Sequence, residues 1–126
     1  MTESEISFLI RKAIFEVYNT LGPGLFESVY EKAMILELKN LGLKVQSQVQ
    51  IPAMYKGTDL GLGFIIDILV EDTIIIEIKS VVELAPIHHK QILNYLKITN
   101  LHLGILVNFN TENIINNITR KLNGYR

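Results

Sequence analysis

The most constraining feature of this chain is a pair of β-branched runs, Phe64–Val70 and Thr73–Lys79, separated only by Glu71 and Asp72. Such residues favour pleated, buried strands, and so short a connection permits only an antiparallel hairpin. Near-continuous hydrophobicity places the hairpin at the centre of a sheet covered on both faces. The runs are not wholly apolar, however. Asp67 stands alone in Phe64-Ile65-Ile66-Asp67-Ile68-Leu69-Val70, and Glu77 and Lys79 interrupt Ile74-Ile75-Ile76-Glu77-Ile78-Lys79.

Burying an unpaired charge is costly, so each of these side chains requires compensation. The period of two puts Glu77 and Lys79 on one face of their strand, with Ile76 and Ile78 on the other. Where Asp67 falls depends on register. A three-residue loop (Glu71, Asp72, Thr73) sets Asp67 opposite Glu77, and a two-residue loop sets it opposite Ile76; the longer loop is the expectation. Two opposed carboxylates repel unless a cation lies between them, and hard oxygen donors select Mg²⁺ or Mn²⁺. The bland alternative is a buried acid–lysine pair that satisfies itself. Two acids and one base in so short a span exceed what one ion pair explains.

The flanking segments supply the helices such a sheet needs. Ile6, Leu9, Ile10, Ala13, Ile14 and Val17 recur at helical spacing between Ser4 and Leu21, with Ser4 as the expected N-cap. Gly22-Pro23-Gly24 breaks that helix, and a second runs from Leu25 to Leu41, ended by Gly42. From Leu43 to Ile51, apolar Leu43, Val45, Val49 and Ile51 alternate with Lys44, Gln46, Gln48 and Gln50, which predicts a strand with one wet face. Pro52 ends this strand or marks it as an edge, and Tyr55–Gly63 reads either as a turn or as a short hairpin. Beyond the central hairpin, Ile87–Lys97 reads as a helix, Leu101–Val107 as a strand, and Ile114, Ile115, Ile118 and Leu122 as a closing helix. The order is ααβββαβα, an α/β arrangement with a mixed central sheet.

Composition limits the function classes. The chain has 126 residues, 48% of them hydrophobic, which suits one compact domain with a real core. It has no cysteine, which removes thiolate metal sites and cysteine nucleophiles and suits a reducing compartment, the cytoplasm by default. No signal peptide is read, and no apolar run approaches the roughly 18 residues of a membrane span. Twelve Lys and Arg against thirteen Asp and Glu give a net charge of −1, which excludes a strong global positive field for indiscriminate nucleic-acid binding. A site that neutralises its own acids with metal ions needs only a local basic rim. The three histidines lack zinc-binding spacing, and no Gly-rich loop is followed by the lysine and helix of a phosphate loop.

Gly24-Leu25-Phe26-Glu27-Ser28-Val29-Tyr30 fits G-x-x-E-x-x-Y. Together with Asp67, Glu77-Ile78-Lys79 and Gln91-Ile92-Leu93-Asn94-Tyr95, it resembles the bacterial GxxExxY family of the PD-(D/E)XK nuclease superfamily, over about Ile6 to Asn108. The resemblance implies a restriction-endonuclease-like αβββαβ core, with the first and last helices as additions and residues 1–126 as one domain. It implies that Asp67 and Glu77 bind Mg²⁺ or Mn²⁺ with the carbonyl of Ile78, assisted by Glu27, and that Lys79 orients the attacking water. Gln91 and Tyr95 match the Q-x-x-x-Y element of RecB-type nucleases, and their spacing puts both on one helix face. For Glu27 and Tyr30 the bland alternative to a site role is an ordinary helix start, since an acid in the first turn suits the helix dipole and a tyrosine at this spacing often packs; a site role is the expectation for Glu27, and both stay open for Tyr30.

One departure stands out. At Ile65, two residues before the aspartate, the family is expected to carry a basic residue, and isoleucine cannot contact phosphate; under the three-residue loop Ile65 would lie opposite Lys79. Two functions follow. The first is metal-dependent hydrolysis of DNA phosphodiester bonds, with RNA left open as a substrate. The second is a catalytically inactive nuclease-fold module that binds nucleic acid or protein. A homodimer through an exposed strand edge or the first helix is compatible with either.

Overall fold

A computed structural model describes residues 1–124. The elements are α1 (Glu3–Leu21), α2 (Glu27–Asn40), β1 (Val45–Tyr55), β2 (Thr58–Val70), β3 (Ile74–Lys79), α3 (Pro86–Thr99), β4 (Leu103–Asn108) and β5 (Ile118–Leu122), with a 3-10 turn at Ile115–Asn117. The five strands lie in the order β1-β2-β3-β4-β5. Pairing is antiparallel except between β3 and β4, which are parallel and joined through α3. Taken from α2 to β4, this is the αβββαβ core of a restriction-endonuclease-like fold, preceded by α1.

The sheet is covered on both faces. On one face Ile6, Ile10, Ile14 and Val17 of α1 and Met34 and Leu38 of α2 pack on Ile68, Val70, Ile74, Ile76, Ile78, Ile105 and Val107. On the other, Ile92, Tyr95 and Leu96 of α3 pack on Ile66, Ile75 and Leu106. Gly104 admits α3 closely: a Cβ there would lie 2.8 Å from Ile92 Cδ1. Each fully buried aliphatic side chain contributes about 2 kcal/mol, so the isoleucine-rich β3 anchors both layers.

Several sequence expectations are corrected. Thr2, not Ser4, caps α1: its Oγ1 accepts from the Glu5 amide at 3.1 Å and Glu5 reaches back to the Thr2 amide at 3.4 Å. This capping box satisfies two amide groups, which Ser4 inside the first turn could not do. The α2 helix starts at Glu27 because Leu25 and Phe26 are held in the preceding turn. Of the two roles expected of Pro52, it does not end β1 but does mark it as an edge. The strand continues to Tyr55 as a sheet edge, with a register shift between Pro52 and Met54. Tyr55–Gly63 belongs to a β1–β2 hairpin turned by Lys56 and Gly57, both with positive φ.

The alternation in β1 does not give one dry face. Val45 packs with the α1/α2 layer, whereas Val49 and Ile51 pack with the α3 layer. Gln48 lies between them with φ of 52°, and the alternation inverts there. The closing helix is absent. Ile114 is buried but Ile115 and Leu122 are 60% and 54% exposed, so the four apolar residues do not share a helical stripe. Thr111, Asn113 and Asn117 instead bond one another locally, which competes with helix formation, and Ile118–Leu122 pairs with β4. Among the described residues no helix is long and apolar enough to cross a membrane.

Candidate active site

The β2–β3 register follows the three-residue loop: Val70 pairs with Ile74, Leu69 with Ile75 and Ile68 with Ile76. The next rung would join Asp67 to Glu77, but there the ladder stops and the strands fork. The two acids hold the fork through their carboxylates. The Asp67 amide donates to Glu77 Oε2 at 2.8 Å, and the Ile78 amide donates to Asp67 Oδ2 at 2.8 Å. Each side chain satisfies a backbone amide on the opposite strand that the ladder has abandoned. The ladder's end also removes the expected apposition of Ile65 and Lys79; Ile65 pairs with Gln50 of β1 instead and is 48% exposed.

Lys79 leaves the fork on the α3 side, where its Nζ donates to Gln91 Oε1 at 3.4 Å. Tyr95, one turn further along α3, is buried beside the same acids. Burial, and then the charges of Glu77 and Asp67, push its hydroxyl above the usual tyrosine range. Phe64, Ile87, Gln91, Asn94 and Tyr95 line a groove of about 210 Å³ on this side.

Glu27 approaches from the other side. It opens α2 and its Oε1 accepts from the Ser80 amide at 3.4 Å, just past the end of β3, while Ser80 Oγ donates to the Leu25 carbonyl at 2.6 Å. Tyr30 explains how this turn is fixed. It is fully buried and stacks on Phe109 at 4.5 Å between ring centres, donating its hydroxyl proton to the Gly22 carbonyl and accepting from the Leu25 amide. Gly24 has φ of 97°, which a side chain would oppose. In G-x-x-E-x-x-Y the glycine thus makes the turn, the tyrosine clamps it, and the glutamate is presented at the end of β3.

A cavity of about 430 Å³ lies between α2 and the fork, lined by Glu27, Ser28, Glu31, Lys32, Gln48, Asp67 and Ile78. Asp67 and Glu31 in its wall, and Glu77 behind Asp67, resist ionisation. Burial, and then the charge of Asp67, push Glu77 up to about 8. Asp67 is raised by burial against the pull of the Ile78 amide and Lys79, and Glu31 is raised by burial and by Asp67. The Glu77 side chain is almost completely buried, so it feels this repulsion with little solvent screening.

The donor set suits a hard divalent cation: a neighbouring carbonyl and four carboxyl groups, Glu27, Glu31, Asp67 and Glu77, against two lysines, Lys32 and Lys79. Yet among the described residues no three His, Cys, Asp or Glu side chains stand close enough together to hold a metal. The carboxylates of Asp67, Glu77 and Glu27 are turned onto backbone amides instead. All six expected side chains therefore surround the β2–β3 fork, Glu27 on the α2 side and Lys79, Gln91 and Tyr95 on the α3 side.

Four neighbours escaped the sequence reading. Glu31 is one helical turn beyond Glu27, a spacing that could have revealed it. Gln48 donates to Glu31 Oε1 at 2.8 Å and Ser80 ties β3 to the α1–α2 turn; neither carries a sequence signal. Asn108, 1% exposed at the end of β4, accepts from the Val81 amide at 3.0 Å and donates to the Val81 carbonyl at 2.9 Å, fixing the segment after Lys79. A polar residue ending an apolar strand was its only clue. The histidines serve elsewhere: His88 Nδ1 accepts from the Ala85 amide at the start of α3, and His102 pairs with Glu3 at 2.8 Å.

No match appears among the curated proteins or the solved structures compared with the chain. A family model described as the PD-(D/E)XK nuclease superfamily matches residues 4–121, from the first turn of α1 into β5. The match spans the fork and every side chain placed around it, and the chain belongs to the PD-(D/E)XK nuclease superfamily.

Proposed function

We propose that this chain is a Mg²⁺- or Mn²⁺-dependent nuclease that hydrolyses DNA phosphodiester bonds, a single cytoplasmic domain of the GxxExxY branch of its superfamily. The observation that carries the reading is the β2–β3 fork, where buried Glu77 and half-buried Asp67 sit side by side with a lysine and burial pushes both carboxyls above their ordinary range. Asp67, Glu77, the carbonyl of Ile78 and Glu27 are the groups that would hold the cation. When bound, the cation activates a water and stabilises charge developing on the phosphate.

The chain's own residues supply the rest. Lys79, steadied by Gln91, presents an ammonium group to the nucleophile or to a phosphate oxygen. Gln91, Asn94 and Tyr95 offer polar contacts along the α3 groove, and Phe64 offers an aromatic face there. Asn108 and Ser80 keep the end of β3 in place.

A second reading is an inactive binding module. It is favoured by the carboxylates being turned onto amides, with no three close enough to hold a metal among the described residues. Ile65 favours it too, since an exposed isoleucine two residues before Asp67 gives no grip on phosphate. Dimerisation, if it accompanies either reading, would use α1 in preference to a sheet edge. Pro52 in β1 and Arg120 and Lys121 in β5 obstruct edge-to-edge pairing.

The test is to incubate the protein with linear, circular and single-stranded DNA and with RNA, in Mg²⁺, Mn²⁺ or EDTA. Metal-dependent cleavage of DNA is the expected result. Cleavage of RNA alone would change the substrate, and no cleavage despite measurable Mn²⁺ binding would favour the binding module.

A further inference from the structure

Five non-glycine residues among those described have positive φ. Lys56, Glu71 and Asp72 sit in turns and Asn100 caps α3. Gln48 alone lies inside a strand, with φ of 52°, although β1 runs on for seven more residues to Tyr55 and makes no turn there. Glutamine has no local hydrogen-bonding reason to favour the left-handed region, unlike asparagine or aspartate, so the conformation is imposed.

Its partner on β2 is Asp67. Ser47 pairs with Ile68 and Val49 with Ile66, and the rung between them, Gln48 with Asp67, is unpaired. The register is the same on both sides of this rung, so no residue is inserted and this is not a bulge. Instead both strands turn over together. Val45 packs with the α1/α2 layer and Val49 with the α3 layer; Ile68 packs with the α1/α2 layer and Ile66 with the α3 layer. Strict alternation would have kept each pair on one face.

We propose that Gln48 is a positioning residue for Asp67. Its left-handed backbone inverts β1, β2 inverts with it, and the inversion takes the Asp67 carboxylate out of the sheet face and onto the Ile78 amide. In a regular ladder Asp67 would share the α3 face with Glu77, two opposed acids with no amide between them. With the inversion it lies in the fork, cross-bonded to β3 and open to the cavity beneath α2. The Gln48 amide, bonded to Glu31 at 2.8 Å, ties the inverted strand to α2. The inference deepens the proposed function and rests on it only for its effect on metal binding; the geometric claim concerns the metal-free protein.

The experiment compares amide hydrogen exchange at Asp67 and Ile78 in the metal-free wild type, Gln48→Gly and Gln48→Val, with Mn²⁺ affinity measured calorimetrically on the same samples. Both amides are held by side-chain carboxylates outside any ladder, so their protection reads the fork directly. Glycine accepts positive φ and lacks the amide, so Gln48→Gly keeps both protections and Mn²⁺ affinity within about twofold. Valine resists positive φ, so Gln48→Val lowers both protections and Mn²⁺ affinity by about tenfold while the variant still unfolds cooperatively in urea. If the valine variant does not fold, Gln48→Thr, β-branched but polar, replaces it with the same expectation.

Wild-type protection in the β-branched variants would overturn the proposal. Loss of protection in Gln48→Gly would also overturn it, by assigning the effect to the side-chain amide. Failure of the wild type to bind Mn²⁺ would count against the nuclease reading and leave the exchange result to decide the role of Gln48.

Discussion

Replacing Glu77 by glutamine should stabilise the metal-free protein at neutral pH. Glu77 is 3% exposed, and burial with the charge of Asp67 lifts its carboxyl from an ordinary 4.5 to about 8. The folded value is the higher one, so between these limits the folded state holds a proton that the unfolded chain has released. Stability from this group is complete below about pH 4.5 and is lost as pH rises through about 8, at about 1.4 kcal/mol per pH unit. From pH 5 to pH 7 the loss is about 3 kcal/mol. Glu77→Gln abolishes the titration and keeps an oxygen for the Asp67 amide. The unfolding free energy of the variant minus that of the wild type, from urea denaturation in EDTA, should therefore grow by about 3 kcal/mol between those pH values. Comparing the two proteins cancels the groups that do not interact with Glu77. A difference that stays flat, or that shrinks as pH rises, would refute the reasoning.

Other outcomes follow from the same geometry. Mn²⁺ should raise the Tm of the wild type at pH 7, with proton uptake by the buffer visible in calorimetry, and should leave Glu77→Gln unshifted. Tyr30→Phe keeps the stack on Phe109 but strips the Gly22 carbonyl and Leu25 amide of their partner, and should cost about 2 kcal/mol in urea denaturation.

Much of this site was legible because its chemistry violates its surroundings. Asp67, Glu77 and Lys79 are conspicuous among isoleucines, and of the two loop lengths the sequence allows, the expected three-residue loop 71–73 matches the observed register. The helices α1 and α3 were legible from spacing, because each packs one stripe on the sheet. What was hidden depends on backbone conformation rather than on residue type. Nothing in the sequence shows that Gln48 is left-handed, so the β1 alternation by itself predicts a regular strand and carries no sign of its inversion. The closing helix failed for a related reason: Ile114, Ile115, Ile118 and Leu122 have helical spacing, but pairing with the free edge of β4 and the local bonds of Asn113 and Asn117 outweigh it. Asn108 and Ser80 act through backbone groups distant in sequence, which no local pattern reports.

In the proposed function the fork hydrolyses DNA with Lys79 assisting and a divalent cation bound by its acids. The most direct test is the rate of DNA cleavage in Mn²⁺ by the wild type and by folded Lys79→Ala, with EDTA as the control. The expected result is cleavage by the wild type that EDTA abolishes, and a loss of about a hundredfold or more in Lys79→Ala, the scale on which single charge-stabilising groups act. Equal rates in the two proteins, or cleavage that persists in EDTA, would contradict it.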